Sequence, residues 1–262
     1  MIEAFRRCLV LGLDAQGYGS KPDWLQRRIQ EAIVEHLDRA AEDAGLATAD
    51  WEIQRGGDGL LAALPATTSE AQVLDPLLGS FARRLREHNL ERTAESALRM
   101  RAALHFGPTT PAANGLSGDG PVRVGRLLAS APLRRALAAT SGPLAVAVSE
   151  PLYRDAVVAA RCTRWTPEDF REVAVHEKET HEPAWLITPL AGDVHTLDLA
   201  EAGEAGESGA AHERRSGDGP APAASAVPAA PEPSRTEPAD RVGTVMNGGA
   251  VFNGPVNFGI SK

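Results

Sequence analysis

The chain has little of what marks several common classes of protein. Its 262 residues include only two cysteines, Cys8 and Cys162, with no disulfide framework or metal-binding spacing, so we expect a reducing, cytoplasmic setting. The seven histidines form no cluster with cysteine, which argues against a zinc site. No apolar run approaches the ~20 residues of a membrane span. Asp14 also interrupts the first apolar run too early for a signal peptide.

An excess of positive charge is also missing. The formal net charge is −8, whereas a protein that binds nucleic acid nonspecifically is expected to carry a basic face. The glycine-rich stretch Asn114–Pro121 contains no Walker-type lysine, so by itself it is a weak signal for phosphate binding. We therefore expect neither a nucleic-acid partner nor a membrane partner.

The composition divides the chain into three parts. Residues 1–190 have the apolar content of one folded domain. Residues 191–240 are rich in Ala, Gly, Pro and Glu with almost no large apolar side chains, which predicts a disordered linker. Residues 241–262 are Asn/Gly-rich, with β-branched and aromatic residues at short intervals.

Two carboxylates stand at positions where strands are predicted to end. The segment from Trp51 to Ala66 consists of two apolar runs joined by Gly56-Gly57-Asp58-Gly59, which predicts a hairpin with Asp58 at its tip and glycines at positive φ. Upstream, an apolar run ends at Asp14. Because Mg²⁺ is typically bound by one or two carboxylates plus substrate phosphates, the pair is a candidate magnesium site. The alternative is that Asp58 does nothing except turn the chain.

Hydrophobic periodicity predicts an α/β fold. A strand ending at Asp14 is followed by a helix that begins near Asp23, the hairpin, a second helix over about 69–89, and a strand over Leu98–Gly107. This βαββαβ order is ferredoxin-like, with an antiparallel sheet and two helices on one face.

The same order of motifs resembles the class III nucleotide cyclase catalytic domain, over about residues 6–189. Leu11-Gly-Leu-Asp14 and Gly57-Asp58-Gly59 match its metal-binding motifs, Leu98–Gly107 its Arg-x-x-Leu/Ile-His-x-Gly strand, and Val175-His-Glu-Lys178 its late Val-x-x-Lys strand. The resemblance implies a nucleoside triphosphate substrate and two Mg²⁺ (or Mn²⁺) ions. In that chemistry the ribose 3′-oxygen attacks the α-phosphorus and pyrophosphate leaves. It also implies a homodimer, with sites built from both subunits.

Applied residue by residue, the resemblance assigns Asp14 and Asp58 to metal and Arg126 to the transferring phosphate. Contacts to the nucleotide are implied for Gln54, Gly57, Gly59 and Lys178. The chain departs from the family in three places: Val122 replaces an asparagine, and the two base-selecting positions are Gln54 and Gly115. Two hypotheses follow: a divergent cyclase-like signalling effector, or a catalytically inactive cyclase fold that serves as a binding or adaptor module.

The C-terminal segment resembles the short amyloid-forming signalling motifs of bacterial effectors, in the style of the RHIM motif. Met246–Gly259 is uncharged and rich in Asn and Gly, and such segments can stack into cross-β structure. Pro255 favours a bend between two strands over one continuous strand. The resemblance implies self-assembly and a partner protein bearing a matching motif. The alternative is an ordinary disordered tail.

Overall fold

The structure is a computed structural model that describes residues 6–177 and 180–199. No helix within these ranges has both the length and the apolar character needed to cross a membrane. Its strands are β1 (Arg6–Ala15), β2 (Glu52–Arg55), β3 (Gly59–Ala63), β4 (Met100–Ala112), β5 (Gly115–Ser117), β6 (Leu144–Ser149), β7 (Arg171–Glu177) and β8 (Thr180–Ile187). Its α-helices are α1 (Asp23–Asp43), α2 (Glu70–Gln72), α3 (Leu78–Asn89), α4 (Asp119–Ala129), α5 (Ala131–Ala139) and α6 (Glu150–Leu152).

The strands form one mixed sheet in the order β2-β3-β1-β4-β6-β8-β7, with β5 paired to β4. The β4–β6 pair is parallel and the other pairs are antiparallel. The predicted ferredoxin-like βαββαβ arrangement is confirmed in the part of the sheet formed by β1 to β4. Strands β6 to β8 extend that sheet on the side of β4.

Helices cover both faces of the sheet. Because successive side chains of β1 point to opposite sides, this strand contributes to a core on each face. Leu9, Leu11 and Leu13 lie in a core shared with α1 and α3. Cys8 and Val10 lie in a second core with α4 and α5. The two predicted helices on one face are therefore α1 and α3, and α4 and α5 cover the other face.

The predicted helix over 69–89 is helical but not uniform. A π-helical turn, Val73–Leu77, separates α2 from α3 and contains Pro76. Proline has no backbone N–H and its ring clashes with the preceding turn, so a regular helix cannot pass through this position. A π-turn is one way of absorbing that irregularity while the helix continues. Residues 73–85 still bury their apolar face against α1.

The packed part of the chain continues past residue 190, where the composition placed the start of the linker. Val194 and Leu199 are buried in the core beneath α5. Arg135 donates a hydrogen bond to the Leu199 carbonyl, and Arg171 donates to the carbonyls of Val194 and Leu197. Residues 191–199 therefore belong to the folded domain. The rest of the predicted linker and the whole of 241–262 lie outside the described residues.

Candidate functional site

The structure places Asp14 and Asp58 side by side. Asp14 is opposite Gly59 in the β1–β3 pairing, so the hairpin tip lies directly beside the end of β1. The Ala15 N–H donates to the Asp58 carbonyl oxygen at 2.7 Å. Residues 44 positions apart along the chain are thus brought together at adjacent strand ends.

The hairpin glycines act differently from the prediction. Gly56, Gly57 and Gly59 are absent from the positive-φ glycines of the described ranges, which are Gly17, Gly45, Gly115 and Gly118. At Gly59 the requirement is close approach, because a Cβ there would overlap the carbonyl oxygen of Leu13. The predicted left-handed turn is therefore wrong. The β2–β3 turn is instead closed by a 2.8 Å hydrogen bond from the Gly56 N–H to the Gly59 carbonyl.

A tight turn follows Asp14 and begins with Gly17 in the left-handed conformation at φ 70°. The backbone N–H groups of Gly17, Tyr18 and Gly19 donate no hydrogen bond to any residue in the described ranges. The ring of Tyr18 packs 3.5 Å from the place that a Cβ on Gly57 would occupy, and its hydroxyl accepts a hydrogen bond from Gln30. Successive unpaired amides next to a left-handed residue are the arrangement that binds anions in many phosphate sites.

Arg101 on β4 is the closest partner of Asp14, and residue-by-residue sequence reasoning did not single it out. Its Nε donates to Asp14 Oδ2 at 2.9 Å, and its Nη2 donates to the same oxygen. The two residues are opposite one another in the β1–β4 register. The signal was present, because Arg101 is the first residue of the Arg-x-x-Leu-His-x-Gly strand, but nothing in that spacing shows which carboxylate the guanidinium meets.

The electrostatic environment of Asp14 combines opposing effects. Burial raises the pKa of the Asp14 carboxyl above its ordinary value, and the Arg101 guanidinium acts in the opposite direction. The negative charge of Asp58 raises the pKa further, whereas Arg134 lowers it. The repulsion between the two carboxylates is what a bound cation would relieve.

These residues fit a divalent cation by the chemistry of their donors. Carboxylate oxygens are the ligands that Mg²⁺ and Mn²⁺ prefer, and Mg²⁺ commonly takes one or two of them and completes its coordination with water and phosphate oxygens. Within the described ranges, no group of three or more His, Cys, Asp and Glu side chains could hold a metal ion. Any cation at Asp14 and Asp58 therefore depends on ligands beyond carboxylate and imidazole.

The two predicted base-selecting positions are in contact with each other. A side chain at Gly115 would overlap the Gln54 amide, and Gly115 itself has a φ of 116°. Gln54 Oε1 accepts a hydrogen bond from the Leu116 N–H at 3.0 Å. Gln54 shares a sheet face with Asp14, since it pairs with Leu61, which pairs with Gly12.

Arg126 and Val122 lie on α4, which packs directly on β1. A Cβ on Gly12 would come within 2.5 Å of the Val124 side chain, so only glycine allows this approach. Val122 is 48% exposed. The side chain of Arg126 is partly exposed and makes no hydrogen bond or ion pair with any residue of the described ranges. Lys178 lies outside the described residues.

His105 connects α4 to the sheet from inside the core, as the sequence predicted for a packed histidine. Only 4% of the residue is exposed, and its Nδ1 lies 2.8 Å from Ser149 Oγ. Its Nε2 lies 4.0 Å from Asp119 Oδ2, at the start of α4. Burial and the charge of Arg123 lower the pKa of His105 to about 4, against the opposing effect of Asp119.

Among the comparisons with known proteins, the similarity to solved structures is what supports the fold. No protein-family model matches the chain, and no curated protein matches it. The crystal structure of the guanylyl cyclase Cya2 superposes with a TM-score of 0.52 at 18% identity, covering 76% of this chain and 100% of that one. An adenylate/guanylate cyclase/hydrolase from Silicibacter pomeroyi gives a TM-score of 0.52 at 18% identity, covering 71% of this chain and 98% of that one. The chain therefore has the fold of nucleotide cyclase domains.

Proposed function

We propose that this protein is a divergent nucleotide cyclase-like signalling effector that binds Mg²⁺ or Mn²⁺ together with a nucleoside triphosphate. The observation that carries the proposal is the adjacency of Asp14 and Asp58, joined at the strand ends by the hydrogen bond from Ala15 to the Asp58 carbonyl. The likeness to solved guanylyl and adenylate/guanylate cyclases adds support at the level of the fold.

In this proposal each group at the site has a separate role. Asp14 and Asp58 hold the cation, which would supply charge neutralisation and activation of the attacking oxygen in a phosphoryl displacement. The unpaired amides of 17–19 orient phosphate oxygens directly after Asp14. The contact of the Tyr18 ring with Gly57 keeps this turn against the hairpin, and the hydrogen bond from Gln30 ties the Tyr18 hydroxyl to α1. Gly57 and Gly59 let the nucleotide and β1 approach the tip.

We assign Arg126, Gln54 and Lys178 to a site completed by a second copy of the chain. Arg126 would contact phosphate, and within the described ranges its side chain has no hydrogen bond or ion pair that it would have to give up. Gln54 would face the nucleobase with its Nε2, because its Oε1 accepts from Leu116. The homodimer and these three roles are proposals taken from the family resemblance.

The second candidate is a cyclase fold that binds a ligand or partner without turnover. Two observations favour it. Val122, which is 48% exposed, lies where the family has a polar positioning residue. The Oε1 atom of Gln54 already accepts a hydrogen bond from the Leu116 N–H. The retained pair of Asp14 and Asp58 favours the first candidate.

The C-terminal residues complete the proposal at the level of assembly. We propose that 241–262 acts as an amyloid-type motif that clusters copies or recruits a partner with a matching motif, tethered through the linker that follows residue 199. A flexible tether raises the local concentration of the folded domains without new contacts between them. A peptide of 241–262 that stays soluble and non-fibrillar would contradict the assembly role.

The first experiment tests turnover and binding together. Full-length protein is incubated with each of the four nucleoside triphosphates and Mg²⁺ or Mn²⁺, and pyrophosphate release is followed with product mass. Asp58→Ala should abolish both the product and metal-dependent nucleotide binding. Asp155→Ala is the matched control, because Asp155 is an exposed aspartate on a different helical segment, Tyr153–Val158.

The outcomes separate the two candidates. A product that disappears in Asp58→Ala establishes an enzyme of the cyclase type. Metal-dependent nucleotide binding without product favours the binding module. Nucleotide binding whose Mg²⁺ dependence is unchanged in Asp58→Ala means that the metal assignment is wrong.

A further inference from the structure

The ion pair between Arg101 and Asp14 occupies the same carboxylate that a cation would use. Both Nε and Nη2 of Arg101 converge on Asp14 Oδ2. The side chains are 17% and 21% exposed, so the pair is largely shielded from water. Charge-assisted contacts in such surroundings are stronger than surface ion pairs.

Arg101 is held in this position by the sheet. It faces Asp14 in the β1–β4 register, one pair before that pairing ends at Ala15 and Met100. Arg99, two residues before Arg101, donates instead to three backbone carbonyls around the end of α5. Arg101 is therefore the cation that the fold itself places on Asp14.

We infer that Arg101 is a resident counter-ion of Asp14, which competes with the divalent cation and sets the affinity of the Asp14–Asp58 site for it. The inference rests on the proposed function only in taking these two aspartates as the metal ligands. A cation on Asp14 would meet a guanidinium within hydrogen-bond range, so it must either displace Arg101 or bind against its positive charge. Metal binding in the absence of nucleotide should accordingly be weak.

The competition is tested with Mn²⁺ alone, measured by EPR on full-length, nucleotide-free protein. Arg101→Met removes the positive charge and keeps an unbranched apolar side chain. It should tighten Mn²⁺ binding at least about tenfold, the size expected for removing one charge close to the ion. Arg101→Lys retains the charge and should stay close to the wild type.

Two controls locate the effect. Arg86→Met removes one positive charge from an exposed position on α3 and should leave Mn²⁺ binding unchanged. Adding Asp14→Asn to Arg101→Met should abolish the gain, which places the tightened site at Asp14. Circular dichroism and thermal melting show whether each variant is folded.

A measurement on the unaltered protein covers the case in which Arg101→Met fails to fold. The Arg101 Nε–H resonance, assigned by comparison with Arg101→Lys, should shift or broaden during a Mg²⁺ titration, because the ion either displaces the guanidinium from Asp14 or binds next to it. A resonance that does not respond while Mg²⁺ binds overturns the inference.

Failure of the inference is distinguishable from failure of the proposed function. Unchanged or weaker Mn²⁺ binding in folded Arg101→Met overturns the competition, whereas metal-dependent nucleotide binding by the wild type would still stand. Mn²⁺ binding that appears only in Arg101→Met supports the competition directly. No binding in either protein also overturns it, because releasing Asp14 then does not create a site.

Discussion

The buried histidine at the start of α4 should make the stability of the domain depend on pH in a way that one substitution removes. His105 is enclosed by β4, β6 and α4, with Ser149 on one ring nitrogen and Asp119 near the other. Its pKa falls from an ordinary 6.5 to about 4, mainly because burial disfavours the charged ring. The folded protein therefore holds a neutral imidazole at neutral pH.

The sign and the size follow from linkage. Because the folded pKa lies below the unfolded pKa, the contribution of His105 is fully present above the unfolded value and is lost as the pH falls toward the folded value. With 6.5 and about 4 as the two values, the free energy of unfolding should drop by about 2 kcal/mol between neutral pH and about pH 5.

The test compares the wild type with His105→Gln by urea denaturation across this range. At neutral pH the variant should be less stable by about 1–3 kcal/mol, since it loses the packed ring and disturbs the contact with Ser149. The difference in stability should shrink by about 2 kcal/mol by about pH 5, because the unfolded wild type takes up a proton at His105 and the unfolded variant does not.

The other histidines do not confuse this comparison. His36 and His88 contact each other at 2.9 Å, and burial lowers the pKa of both, that of His88 to about 4. They are present in both proteins, so their contributions cancel in the difference. Stability curves that run parallel from neutral to acidic pH would refute the assignment of a buried neutral ring to His105.

Three further changes have expected outcomes in the same denaturation assay. Gly59→Ala should lower the free energy of unfolding by about 2–4 kcal/mol, because its Cβ would overlap the Leu13 carbonyl. The control Gly19→Ala has no atom within 4 Å of the added Cβ and should change it by less than about 0.5 kcal/mol, so equal effects would contradict the close approach at the hairpin. Arg99→Met should cost about 2 kcal/mol through loss of the hydrogen bonds to three carbonyls around the end of α5, and an unchanged melting temperature would show that those bonds contribute nothing. A chain that lacks everything after residue 190 should be about 3–5 kcal/mol less stable than one that retains 191–199, since that stretch buries two large apolar side chains; equal stability would mean that it is dispensable.

The candidate site was predictable where its signal is local. A run of apolar residues ending in Asp14, and two such runs joined at Asp58, indicate strand ends whatever the rest of the chain does. Periodicity likewise located α1, and Gly45 beyond its end has a φ of 69°. Each of these depends on residues within a few positions of one another.

The contacts that adjust the site were decided only by tertiary structure. Arg101 and Asp14 are 87 residues apart, and Gln54 and Leu116 are 62 apart. Which residues meet depends on the register across several strands, a property of the whole sheet that no single segment encodes. The same reason explains Gly59, whose need for glycine comes from Leu13 on the neighbouring strand rather than from its own turn.

Sequence by itself therefore determined the ferredoxin-like core and the placement of two carboxylates at strand ends, because hydrophobic alternation and turn chemistry act over short distances. Tertiary structure decided that Arg101 pairs with Asp14, that Gln54 binds the Leu116 amide, and that 191–199 packs on the domain. These outcomes depend on long-range packing, in which a side chain's partner is whatever the completed sheet places opposite it.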